Sequence, residues 1–168
     1  MVWLFYLAAL ITLFCAAMVI TRLNAVHALL YMVLALLSLA LIFFLLGAPF
    51  VAALEVIIYA GAIMVLFVFV VMMLNLGPQS VDQERGWFNV GTWRGLAFIA
   101  GILLVELIFA LRLGFPQPLD VVEVTPQQVS LSLFGPYLLG VELASMLLLA
   151  GLVGAYHLGK REQEDLRK

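Results

Sequence analysis

The chain has 168 residues, of which 66% are hydrophobic and 11% charged, with a formal net charge of −2 and a mean hydropathy of +1.20. A water-soluble domain is nearer half apolar and a quarter charged, so this composition excludes a soluble core-and-shell fold and makes the bilayer the solvent. The charge balance offers no basic surface for nucleic acid. The single cysteine, Cys15, excludes an internal disulfide and any cysteine cluster for a metal or an iron–sulfur centre.

Five apolar runs reach the roughly 20 residues that a membrane-spanning helix needs. They cover about residues 2–20, 26–46, 50–74, 92–111 and 136–158. None alternates polar and apolar residues as a barrel strand does. The expected fold is therefore an all-α integral membrane protein, with a five-helix transmembrane domain over residues 1–158 and a polar tail over 159–168. The first run, MVWLFYLAALITLFCAAMVI, has no Lys or Arg before Arg22. It reads as a retained helix, because a cleaved signal needs a basic start and a shorter apolar core. Asn24 is placed to cap the second helix. Gly47-Ala48-Pro49 is a tight turn without charge, making helices two and three an antiparallel hairpin. The third connection, GPQSVDQERGWFNVG, holds Asp82, Glu84 and Arg85, with Trp87 and Trp93 placed for an interfacial aromatic belt. The fourth runs from about Gly114 to Gly135, and Pro116 and Pro118 keep its start extended. Thr125-Pro126-Gln127-Gln128 then reads as an N-cap, a proline at the first helical position and a capping-box glutamine. A short surface helix over 126–133 follows, stopped by Gly135-Pro136. The tail, GKREQEDLRK, is of mixed charge and is expected to fray or to dock on a partner.

Lys and Arg set the expected orientation. Arg22, Arg85, Arg94, Lys160, Arg161, Arg167 and Lys168 fall on one side of five spans, and Arg112 alone on the other. The positive-inside rule then puts the tail in the cytoplasm and the N-terminus outside, in the periplasm for a bacterial inner membrane. No internal repeat is visible, which disfavours an inverted-repeat transporter. Small residues recur four apart at Ala97/Gly101, Gly140/Ala144, Ala150/Gly154 and Gly151/Ala155. Such faces allow close helix contact, and helix five carries them on two sides, which points to partner subunits.

Three glutamates fall within spans: Glu55, Glu106 and Glu142. Each lies one to two turns, ~6–9 Å, from the outer end of its helix. A carboxyl in hydrocarbon is either protonated and neutral or ionised beside water or a cation, so an intramembrane acid is a functional candidate. Glu55 and Tyr59 stand four apart in LEVIIYAGAIMVLFVFVVMMLNL, a spacing that puts both on one face of an α-helix. They read either as a proton-relay or gating pair or as an interhelical hydrogen bond. Glu142, with Ser145 one turn on, carries the same two readings. Glu106 is nearer the interface and is expected to snorkel. Gly61 reads as a hinge or π-bulge beside Tyr59, or as a close helix contact. His27 and His157, at the cytoplasmic ends of helices two and five, suit interfacial packing better than a bis-histidine haem. Met72-Met73 suits core filling. With no phosphate loop, nucleophile elbow, HExxH or CxxC, nothing suggests a self-contained active site, a catalytic residue or a metal site in this chain.

The third helix, EVIIYAGAIMVLFVFVVMMLNL, together with NAVHALLY and LFGPYLLGVELASMLLLAGLVGAYHLGK, resembles the chain 6, or J subunit, family of the proton-pumping NADH–quinone oxidoreductase, respiratory complex I, in its bacterial form. The resemblance covers nearly the whole membrane part. It implies a non-redox, multi-pass subunit of the bacterial inner membrane, packed between the quinone-binding module and the antiporter-like chains. Flavin, iron–sulfur clusters and quinone would be handled by partner subunits, with no cofactor on this one. It also implies a π-bulge at Tyr59 and Gly61 that switches to regular α-helix during turnover. One state would open a water path past Glu55, and the other would seal it with apolar side chains at Val65, Leu66 and Phe67. Some relatives carry a further acid where this chain has Ser80, so that acid's role does not carry over. Two other readings remain: a membrane subunit of a cation/proton antiporter complex, and a stand-alone small-solute transporter. A purely structural scaffold is a third.

Overall fold

The computed structural model of the chain describes residues 2–22, 24–73, 90–112 and 123–165, and the regular elements among them are all helical. In chain order they are α1 (Val2–Thr21), α2 (Ala25–Leu45), α3 (Pro49–Leu54), a π-helical segment (Glu55–Ile63), α4 (Met64–Met73), α5 (Val90–Arg112), α6 (Pro126–Leu133) and α7 (Leu138–Asp165). The stretch Pro49–Met73 is continuous and is called helix three below. Five helices are long and apolar enough to cross a membrane: Val2–Thr21, Ala25–Leu45, Pro49–Met73, Trp93–Arg112 and Leu138–Lys160. The third connection up to residue 89, with Trp87, and the start of the fourth, with Pro116 and Pro118, lie outside the described residues.

The chain divides into two compact units, Met1–Val124 and Thr125–Lys168. In the first, α2 is central. It touches α1, α5 and all three pieces of helix three. Its buried residues Tyr31, Leu34, Ala35, Ser38 and Leu41 recur every three or four positions, the period of a helix face. Tyr31, Leu34 and Ala35 meet Ile11 and Cys15 of α1 and Leu96, Ile99 and Leu103 of α5 in one cluster. A second cluster joins Ala8, Leu41 and Ala110. Because lipid tails are as apolar as leucine, close packing and hydrogen bonds hold these helices together in the bilayer rather than water exclusion. The tightest layer uses small residues: Ala8 and Ser38 have no exposed surface and Ala110 is 2% exposed. There the Ser38 hydroxyl donates to the Ala8 carbonyl across the α1–α2 interface, at 2.8 Å. Thr12 donates to the same carbonyl at 3.0 Å. At the other end Gly95 of α5 faces the Tyr31 phenol, and a Cβ there would make an ordinary contact, 3.5 Å from its oxygen. The Arg22 guanidinium lies 5.3 Å from the centre of the Tyr31 ring.

The turns follow their chemistry. The Asn24 side chain accepts from the amides of Val26 at 3.0 Å and His27 at 3.3 Å, capping α2. Gly47 turns the chain at φ 80°, a conformation that suits glycine, and Pro49 opens α3. The Val124 amide donates to the Gly47 carbonyl at 2.9 Å, so the end of the fourth connection is pinned to the α2–α3 turn.

In the second unit Thr125 accepts from the Gln128 amide while the Gln128 side chain accepts from the Thr125 amide, a complete capping box with Pro126 at the helix start. The second long helix departs from expectation at both ends. It starts at Leu138 rather than Pro136, after a turn over residues 134–137. Gly135 belongs to that turn: a Cβ on it would come within 2.6 Å of the Leu131 carbonyl oxygen. The same helix runs on to Asp165, through the mixed-charge tail expected to fray or to dock on a partner. Hydropathy ends at the membrane face, whereas Lys, Arg, Glu and Gln are good helix formers and let the backbone continue.

Candidate functional site

The candidate site is built on helix three. Its buried residues are Ala52, Glu55, Ala60 and Met64. The step from Glu55 to Ala60 is five residues, the span of a π-helical hydrogen bond, where each amide reaches back one residue further than in an α-helix. The Met64 amide at the segment's end still reaches the Tyr59 carbonyl, five residues back, along with that of Gly61. This register separates the two side chains that α-helical spacing puts on one face. Glu55 is 9% exposed and buried with the face that meets α2, whereas Tyr59 is 50% exposed. Glu55 is thus on the buried side of helix three and Tyr59 at its exposed edge. Val65, Leu66 and Phe67 are all more than half exposed and flank the buried Met64.

Gly61 sits where the wide turn is most sensitive to a side chain. A Cβ there would lie 3.1 Å from the Val56 carbonyl oxygen, tighter than an ordinary contact. The glycine thus permits the π register, and the carbonyl five residues back is the atom that a larger residue would have to displace. Beside Val56, an apolar groove of about 440 Å³ lies between α2, helix three and α5, lined by residues such as Phe44, Ala52, Leu103 and Leu107.

Glu55 lies six residues in from Pro49, and Glu106 six residues before Arg112. Each is therefore ~9 Å along its axis from the helix end. Ala8 and Ser38 are at the same level, so these residues form one layer within the first unit. Glu106 departs from the expected snorkelling: it is 2% exposed, and neither carboxyl oxygen has a hydrogen-bond partner. It is turned into the α1–α5 contact and faces the backbone of Ala8 without closing a well-formed hydrogen bond. Glu142 is exposed on α7 in the second unit, where the Ser145 hydroxyl is taken up by the Val141 carbonyl at 3.0 Å. His27 is buried in the first turn of α2, and His157 is exposed on α7. Among the described residues no three His, Cys, Asp or Glu side chains come together as a metal site requires. The Ser38–Ala8–Thr12 cluster was not anticipated. Its one signal was a lone serine inside the run ALLSLALIFF.

Residues 15–158 match the family model described as NADH-ubiquinone/plastoquinone oxidoreductase chain 6. Among similar proteins, NADH-quinone oxidoreductase subunit J of Pseudomonas aeruginosa is 55% identical over 162 residues, covering 96% of this chain and 98% of its own length. The protein of the same name from Escherichia coli K12 is 52% identical over 159 residues, covering 95% and 86%. That from Buchnera aphidicola of Acyrthosiphon pisum is 40% identical over 168 residues, covering 100% and 99%.

Proposed function

The chain belongs to the NADH-ubiquinone/plastoquinone oxidoreductase chain 6 family, and from that premise we propose that it is a non-catalytic membrane subunit of a proton-translocating NADH–quinone oxidoreductase. Its partners are the other membrane subunits of that enzyme, those of the quinone module and the antiporter-like chains, within a bacterial inner membrane. Flavin, iron–sulfur clusters and quinone belong to partner chains; a chain with a single cysteine cannot itself ligate an iron–sulfur cluster. The Lys and Arg bias orients the tail to the cytoplasm.

The observation that carries the mechanism is the nine-residue π segment Glu55–Ile63, with a buried acid at its head and a glycine at its wide turn. A helix with two hydrogen-bonding registers is a bistable element that a partner can bias. In the π register, Glu55, Ala60 and Met64 lie along α2. In an α register the line from Glu55 would run through Tyr59, Ala62 and Leu66. Closing the segment therefore turns Tyr59 onto the α2 face and brings Leu66 there, with Phe67 next in the chain. One register leaves small side chains beside the acid, through which a hydrated path can reach it. The other places a phenol there and larger apolar side chains beyond. Quinone reduction in the partner module biases this choice, and the register gates protons past Glu55.

Gly61→Val in the assembled enzyme tests this. A β-branched side chain pressed against the Val56 carbonyl disfavours the π register. Proton translocation per NADH oxidised is expected to fall at least several-fold, or both rates to fall together, with assembly intact. Wild-type pumping and quinone reduction in that variant would refute the switch. Failure of the tagged chain to co-purify with NADH–quinone reductase activity would refute the subunit assignment itself.

A further inference from the structure

Among the described residues Glu106 is the most buried acid of the first unit, and the helix-three mechanism does not use it. It borders a groove of about 620 Å³ between α1 and α5, lined by Leu4, Leu7, Gly101, Val105 and Phe109, with Glu106 the one ionisable member. Both its oxygens are withdrawn from the surface and accept no hydrogen bond. The charged and titratable groups of the packed elements are remote or turned away. On α1 these are Tyr6, which is exposed, and Cys15, two turns further in. On α2 they are His27 and Tyr31, towards the opposite end. On α5 itself Arg112 is exposed at the helix end and Arg94 is at the far end. The nearby hydroxyls of Ser38 and Thr12 are both spent on the Ala8 carbonyl. An ionised carboxylate so placed would have no cation among the described residues and, of donors, only the backbone of Ala8 within reach, and low-dielectric surroundings disfavour such a charge.

We infer that Glu106 is a proton-binding site of its own: α1 and α5 close on it as the neutral acid, apart from the acid at the head of the π segment. The bound proton is what allows α5 to press against α1 through Ala8 and Ala110 at this depth. The groove approaches the site from the Leu4–Phe109 end of the helices and gives the proton a route in when the two helices part.

The test compares wild-type and Glu106→Gln enzyme, purified as the complete complex in lipid nanodiscs, by infrared spectroscopy at neutral pH. The expected difference is the loss of one protonated-carboxyl C=O stretch, with assembly yield unchanged because the amide matches the neutral acid in shape. Loss of a carboxylate stretch instead, or no loss of a carboxyl band, overturns the inference. Where Glu106→Gln does not assemble but Glu106→Asp does, and that variant shows the carboxylate rather than the protonated-carboxyl stretch, a charged group is required there and the inference also falls. The readout is independent of pumping, so this result and that of the Gly61 variant are separable.

Discussion

At the scale of single residues, the outcome turns on how much room and how many partners each polar atom has. Ser38 is fully buried and its hydroxyl has one use, the Ala8 carbonyl. Interhelical hydrogen bonds in bilayers average about 0.6 kcal/mol and reach at most about 1.7. Ser38→Ala should therefore lower the detergent- or heat-unfolding stability of the assembled subunit by about that average. Ala8→Leu should do far more, because Ala8 has no exposed surface and sits between α2 and α5. Its expected signature is loss of assembled complex rather than a shifted midpoint. Glu55→Gln should keep assembly and reduce proton translocation relative to NADH oxidation, measured as pump stoichiometry in vesicles. Equal loss of assembly in Glu55→Gln would give Glu55 a packing role instead. The acids themselves were legible from sequence, since an ionisable residue stands out in an apolar run. Their partners were not: whether Glu106 snorkels or turns inward depends on the rotation of α5 against α1, which spacing within one helix does not contain.

At the scale of elements, the legible features were those with local chemistry. Asn24 caps α2, and Thr125 with Gln128 closes the box on α6, because both signals lie within four residues of where they act. Thr125→Ala should cost about 1 kcal/mol of local stability. Hydrogen exchange should then quicken at the first amides of α6 while those of α2 are unchanged. The register of helix three was less accessible. A run of apolar residues has no periodicity strong enough to separate a spacing of four from one of five, so only Gly61 beside Tyr59 hinted at the π segment. The helical path of α7 beyond its apolar residues is less legible for a different reason: hydropathy marks where a span ends, and a helix does not stop where its apolar residues do.

At the scale of the whole molecule, five spans are expected to leave the two ends of the chain on opposite sides of the membrane, and the proposed orientation rests on the Lys and Arg bias. Cys15, the single cysteine, has no exposed surface, so the native chain should be nearly silent to thiol reagents. Lys160→Cys in intact cells should then stay unlabelled by a membrane-impermeant maleimide and label after the inner membrane is opened. Labelling in spheroplasts would reverse the orientation.

The packing of helix three has a mechanical consequence. In the first unit α2 is braced by α1 and α5, while helix three rests chiefly on α2. Removing one residue from the wide turn rotates everything beyond it by about 100°, the angle one residue occupies in an α-helix. In the proposed switch the Met64–Met73 half would be a rotor, the Pro49–Leu54 half its fixed mount, and α2 the bearing on which it turns. The braced helices need not move, so such a stroke would deliver its torque to whatever protein grips the exposed side of Val65, Leu66 and Phe67.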